Sequence, residues 1–178
     1  MRTNRILILA LLILLFNPFT KVGAQDKGCV FCDIAGGMQA SRLVYKDSLV
    51  ISFLSHAPDN PGHLLVIPIK HARYFTEIPD PTLADMMRVA KYLIKVVQST
   101  DIKAEGFQLL LNSGEAAGQH VKHTHLHIIP RYKGEVLNTT QTISPSAELD
   151  AVAEKIRYAL VNVKELLDIS RCYLIVLQ

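Results

Sequence analysis

No apolar run in this chain is long enough to cross a bilayer as a helix. The longest, Ile6 to Phe16, has 11 residues, against the roughly 18 to 20 that a span needs. No run of lysine or arginine is present that would leave a footprint for DNA or RNA, so no nucleic-acid partner is expected. Internal repeats and low-complexity linkers are missing as well, and the chain reads as one domain. Only three cysteines occur in 178 residues. That excludes a disulfide-stapled miniature, and a chain of about 150 residues buries a full core without staples.

The short apolar run has a different meaning. Arg2 and Arg5 precede it, a polar stretch with Pro18 follows, and Val22-Gly23-Ala24 offers small or modest side chains where a signal peptidase reads. Residues 1–24 are therefore expected to be a secretory signal peptide cleaved after Ala24. An uncleaved anchor or a buried N-terminal helix are the other readings. Cleavage would leave residues 25–178 as the mature chain, secreted or periplasmic, with no stable membrane span. Residues 1–24 carry Arg2, Arg5 and Lys21 and no acidic residue, so the 19 basic side chains fall to 16 and balance the 16 acidic ones. The net charge of +3 then disappears and says nothing about partners.

What remains is patterned. Arg42–Tyr45 and Val50–Leu54 are β-rich runs separated by the polar Lys46-Asp47-Ser48, which suits a hairpin. The loop Pro58-Asp59-Asn60-Pro61-Gly62 leads into His63–Pro68, a nearly all-apolar strand expected at the centre of a sheet. Pro79 and Pro81 start a helix whose apolar positions Leu83, Met86, Met87, Ala90, Leu93, Ile94 and Val97 recur at three and four. Phe107–Leu111 reads as a fourth strand and Val121–Ile129 as a fifth, ended by Pro130. From Ala147 a second amphipathic helix turns Leu149, Val152, Ile156, Leu160, Val163 and Leu167 inward. The order β-β-β-α-β-β-α predicts an α+β fold with an antiparallel sheet. The tail from Cys172 to Leu177 is apolar and has no assigned element.

Chemistry concentrates in His123-Thr124-His125-Leu126-His127. In a strand, residues two apart share a face about 6.5 Å from one another. The three imidazoles then form one row, with Thr124, Leu126 and Ile128 turned toward the core. Packing explains such a row poorly, because imidazole is a poor strand filler with two polar atoms to satisfy. Alternating histidines can be zinc ligands, or one can be a nucleophile and another an acid or orienter, since they titrate near working pH. Spacing leaves both open. Cys29-x-x-Cys32, before the turn Gly36-Gly37, likewise reads as a disulfide, a redox pair or half a zinc site.

The stretch from Asn112 to Arg131, with Ala117-Gly118-Gln119-His120 ahead of the alternating histidines, strongly resembles the signature of the histidine triad superfamily. The likeness extends to Cys29-Val30-Phe31-Cys32 and to Pro61-Gly62-His63-Leu64-Leu65-Val66-Ile67-Pro68 with Lys70-His71. It runs in order from Gly28 to Arg131. The resemblance implies a five-stranded antiparallel sheet with two helices in a domain core of about residues 28–168, a homodimer, and a nucleotide substrate. It implies that His125 attacks the α-phosphate to form a nucleotidyl-histidine that water hydrolyses, dividing one displacement into two. His127 and His63 would support that step, and Gln119 and Asn112 would contact substrate. Cys29, Cys32, His71 and His123 would bind a structural zinc (Zn2+) as a closed Cys2His2 set. An oxidising compartment keeps a Cys29–Cys32 disulfide as the other reading.

Two positions depart from the family pattern. Ser55 stands where an aspartate usually grips the ribose hydroxyls, and serine makes one such bond without the charge. His120 follows Gln119 where a small hydroxyl residue is common, as an added proton donor or a surface substitution. The sequence thus implies a hydrolase of nucleotide phosphoanhydride or phosphoramidate bonds. The other class is an exported zinc- or nucleotide-binding module without turnover.

Overall fold

A computed structural model describes residues 28–136 and 143–167. The expected signal peptide, Cys172 and the apolar tail lie outside the described residues, as do the side chains of Val163 and Leu167. Five strands form one sheet: β1 (Leu43–Lys46), β2 (Val50–Leu54), β3 (Leu64–Pro68), β4 (Gly106–Leu111) and β5 (Leu126–Arg131). Their spatial order is β1-β2-β3-β5-β4, and every neighbouring pair is antiparallel. Among the described residues the α-helices are α1 (Val30–Ala35), α2 (Asp80–Gln98) and α3 (Ser146–Leu167).

Local chemistry explains these elements. At the β1–β2 turn the Asp47 carboxylate accepts from the Leu49 and Val50 N–H groups at 2.8 and 2.9 Å, an Asx-type closure. Strands β2 and β3 are buried at every position, which makes them central and accounts for their unbroken apolar text. Helix α2 carries Pro81 in its first turn, where a missing N–H costs nothing. It stops where the Ser99 and Thr100 hydroxyls donate back to the Val96 and Val97 carbonyls.

The sheet separates two apolar clusters. One face packs Val50, Leu64, Val66, Leu126 and Ile128 against Met86, Val89, Leu93 and Val96 of α2 and Ile156 and Leu160 of α3. On the other face Ile51, Phe53, Leu65 and Ile67 are covered by Phe31, Cys32 and Ile34 of α1.

Three sequence expectations are corrected here. The fifth strand begins at Leu126, not Val121, because the Thr124 N–H is taken by the Ala72 carbonyl at 2.7 Å instead of by a sheet neighbour. Pro130 lies inside that strand and does not end it. β3 pairs with β5 only as far as Ile128, so Pro130 has β4 as its one strand neighbour and its missing N–H breaks no ladder toward β3. Met87 is 47% exposed, while Val89, Tyr92 and Val96 are buried instead. The inward stripe of α2 spans both helices and sheet, which the three-and-four spacing from Leu83 did not reach.

Candidate functional site

The site lies on the α1 face of the sheet, where the entrance to β3 and β5 with its approach segment bring four histidines together. His63 sits at the entrance to β3, after a tight turn at Gly62. That residue has φ +85°, and a β-carbon there would meet the Ile102 side chain at 3.0 Å, so glycine is required. His127 is in β5 opposite Leu65. Although His123 and His125 precede the strand, their alternation persists: the rings of His125 and His127 are 4.8 Å apart, and those of His63 and His127 5.1 Å.

Backbone partners fix the tautomers, because an N–H only donates and a carbonyl only accepts. The Asp59 N–H donates to His63 Nδ1 at 3.1 Å, so neutral His63 carries its hydrogen on Nε2. That nitrogen lies 2.9 Å from His127 Nδ1 and donates to it. His127 therefore carries its own hydrogen on Nε2. His125 Nδ1 donates to the His123 carbonyl at 2.7 Å, which leaves Nε2 as a bare lone pair. His123 Nε2 donates to the Pro68 carbonyl at 2.9 Å and turns its Nδ1 lone pair toward two sulfurs.

Burial keeps these rings neutral. Loss of hydration lowers His63 to about 4, with a smaller opposing pull from the Asp59 carboxylate. It lowers His127 to about 3, helped by His125 and His63, and His123 to about 4. His125 is lowered by burial first, and further by charge on His120; its bond to the His123 carbonyl acts the other way. At neutral pH the site is thus a set of uncharged imidazoles.

Cys29, Cys32, His71 and His123 converge beside this row, with their ligand atoms all within 4.8 Å of one another. Cys29 and Cys32 are not joined in a disulfide. His123 Nδ1 lies 3.5 Å from Cys29 Sγ and 3.6 Å from Cys32 Sγ, and His71 Nδ1 lies 3.2 Å from Cys32 Sγ. Around a tetrahedral zinc, neighbouring sulfur and nitrogen donors sit about 3.5 Å apart. The donor set and spacing fit that ion, and the Pro68 carbonyl supplies the outer bond that holds a ligating imidazole in its tautomer.

Other sequence candidates occupy less direct places. The Gln119 side chain is buried and fully engaged: Oε1 accepts from the Gly114 N–H at 2.7 Å, and Nε2 donates to the Arg73 and Val121 carbonyls at 2.7 and 3.1 Å. Asn112 Nδ2 donates to the Gly118 carbonyl at 3.2 Å. Ser55 is buried, and its hydroxyl accepts from the Ala57 N–H at 3.3 Å. His120 is exposed on the loop before the histidine segment. Sequence reasoning missed Asp59, whose backbone sets the His63 tautomer, and Phe31, whose ring lies 5.2 Å from that of His125. Phe31 sits between the two cysteines already singled out, a signal that was available.

An antiparallel α+β sheet bearing a histidine row beside a Cys2His2 cluster defines the class. The HIT domain family model matches residues 37–134, and the chain belongs to that family. It is 37% identical over 131 residues to an uncharacterized HIT-like protein of Methanocaldococcus jannaschii, covering 72% of this chain and 98% of that one. It is 36% identical over 132 residues to the adenosine 5'-monophosphoramidase of Schizosaccharomyces pombe, covering 72% and 95%. A zinc-bound histidine triad family protein of Mycobacterium smegmatis matches in structure with TM-score 0.71 and 30% identity, over 78% of this chain and 97% of that one.

Proposed function

We propose that this protein is a nucleotide hydrolase that cleaves phosphoanhydride or phosphoramidate bonds through a nucleotidyl intermediate on His125. The observation that carries the reading is the His125 tautomer: Nδ1–H is held by the His123 carbonyl, so Nε2 offers its lone pair. In the first step Nε2 bonds to the α-phosphorus, and the bond from phosphorus to the leaving oxygen or nitrogen breaks; the leaving group departs with that electron pair, a leaving nitrogen taking up a proton from solvent. The imidazole takes up positive charge, which the His123 carbonyl stabilises through Nδ1–H. In the second step water attacks the same phosphorus, the N–P bond breaks, and His125 returns to its neutral form as the water's proton leaves with product or solvent. His127 presents Nε2–H as a donor for phosphate oxygens, with its orientation set by His63.

The monophosphoramidase among the relatives supports the choice of bond. Cys29, Cys32, His71 and His123 would hold a zinc ion, whose role is to tie α1 to the sheet. We also infer export with cleavage after Ala24, which the N-terminal mass of the mature protein checks.

His125→Ala is expected to abolish turnover of adenosine phosphoramidate and of dinucleoside polyphosphates while leaving the fold intact. Intact-protein mass spectrometry after an acid-free quench should show a nucleotidyl adduct on the wild-type chain alone. Undiminished hydrolysis by His125→Ala would remove the assignment.

A further inference from the structure

We infer that Phe31 is a positioning residue that transmits the placement of the metal-cluster helix to the ring plane of His125. The inference rests on the reading of His125 as the nucleophile and adds to it a second constraint. The hydrogen bond from Nδ1 to the His123 carbonyl fixes one corner of the imidazole. A single hydrogen bond contributes little net free energy, and each opening lets the ring turn and exchange its tautomer, so one bond does not hold the lone pair in place.

Phe31 supplies what is missing. Its ring meets that of His125 at 5.2 Å and 83°, within the separation and edge-to-face geometry that aromatic pairs favour. The same ring meets His123 at 6.0 Å and 70°. Its other contact, with Phe53 of β2 at 5.5 Å and 66°, braces it against the sheet. Phe31 is itself buried, and it stands between Cys29, which caps α1, and Cys32 within it. Both cysteines belong to the cluster with His123. The helix, the cluster and the nucleophile are therefore joined by one aromatic ring in addition to the backbone of residues 123–125.

The test replaces the ring and keeps apolar bulk, using Phe31→Leu, with Phe31→Met alongside it should leucine destabilise the protein. Samples are matched for zinc content. Nitrogen-15 spectra of histidine-labelled protein, recorded without substrate, read the His125 Nδ1–H tautomer directly. The expected result is that the distinct His125 nitrogen shifts move toward their average as the ring gains freedom. The kcat for adenosine phosphoramidate is expected to fall about tenfold to a hundredfold, the range that a small misplacement of a reacting group produces, with KM changed less. Unchanged His125 shifts, or an effect confined to KM, would overturn the inference. If neither the wild type nor the variants hydrolyse any nucleotide, the proposed function fails, while the substrate-free spectra still decide the role of Phe31.

Discussion

At the scale of single residues, the site is specified by which nitrogen each imidazole leaves bare. That information was absent from the sequence, because the partners that decide it are backbone groups of Asp59, Pro68 and His123. Histidine identity and alternation were legible; tautomer was not. Gln119 makes the same point. Motif position suggested a substrate contact, and the structure adds that its amide closes the loop from Gly114 to Val121 by three bonds that use both ends. Glutamate at this position keeps an acceptor for the Gly114 N–H but loses the donor to two carbonyls and sets a negative charge against them. Gln119→Glu is expected to cost about 1 to 3 kcal/mol, the penalty for stranding buried polar groups, measured as a lower urea midpoint. Full stability together with a raised KM would instead make Gln119 a substrate contact.

Elements show where pattern reading succeeds and where it stops. Strands β2 and β3 were legible because uniform burial leaves an unbroken apolar run. The start of β5 was not, because a tertiary bond from Thr124 to Ala72 competes with the sheet. Helix α1 has six residues, well below the length at which a helix holds itself together in water. It is retained by Phe31 and Ile34 against the sheet and by the ligands at its first turn. Treatment with a zinc chelator is therefore expected to lower the melting temperature by several degrees and expose α1 to protease before the rest of the domain. Cys32→Ser should reproduce both effects, since Cys32 is the more deeply buried of the two cysteines. Identical melting and cleavage patterns with and without chelator would contradict a structural ion.

Strand β4 carries a separate consequence. It closes one end of the sheet order, and it exposes Leu109 and Leu110 at 42% and 37%. An edge strand with large apolar side chains invites pairing with another strand, and we propose that a second copy of this chain covers it. Light scattering at micromolar concentration is expected to give a dimer for the mature protein and a monomer for Leu110→Lys. A wild-type monomer at that concentration would dispose of the proposal.

For the molecule as a whole, three buried histidines and the half-buried His127 on one face make stability depend on pH in a window that carboxylates do not explain. His63 and His127 are lowered to about 4 and about 3 in the fold, whereas an unfolded chain binds a proton on each near pH 6.5. Between those limits the unfolded state holds more protons than the native one. Stability is therefore fully present above about pH 6.5 and is lost as the pH falls toward about 4, at roughly 1.4 kcal/mol per pH unit for each proton taken up. One proton over two units comes to about 3 kcal/mol, a large share of the roughly 5 to 15 kcal/mol that holds a domain together. The second proton on the hydrogen-bonded pair adds to this with the same sign. Urea unfolding between pH 7 and pH 5, where carboxylates stay mostly ionised, isolates the contribution of the imidazoles. A His63→Gln/His127→Gln variant removes both titrating groups and leaves His123 and the cluster in place. It is expected to be less stable than the wild type at pH 7 and to lose less on acidification, so that the two curves converge. Parallel curves would mean that the pair titrates alike in the folded and unfolded chains, and the buried neutral row would then have no bearing on acid stability.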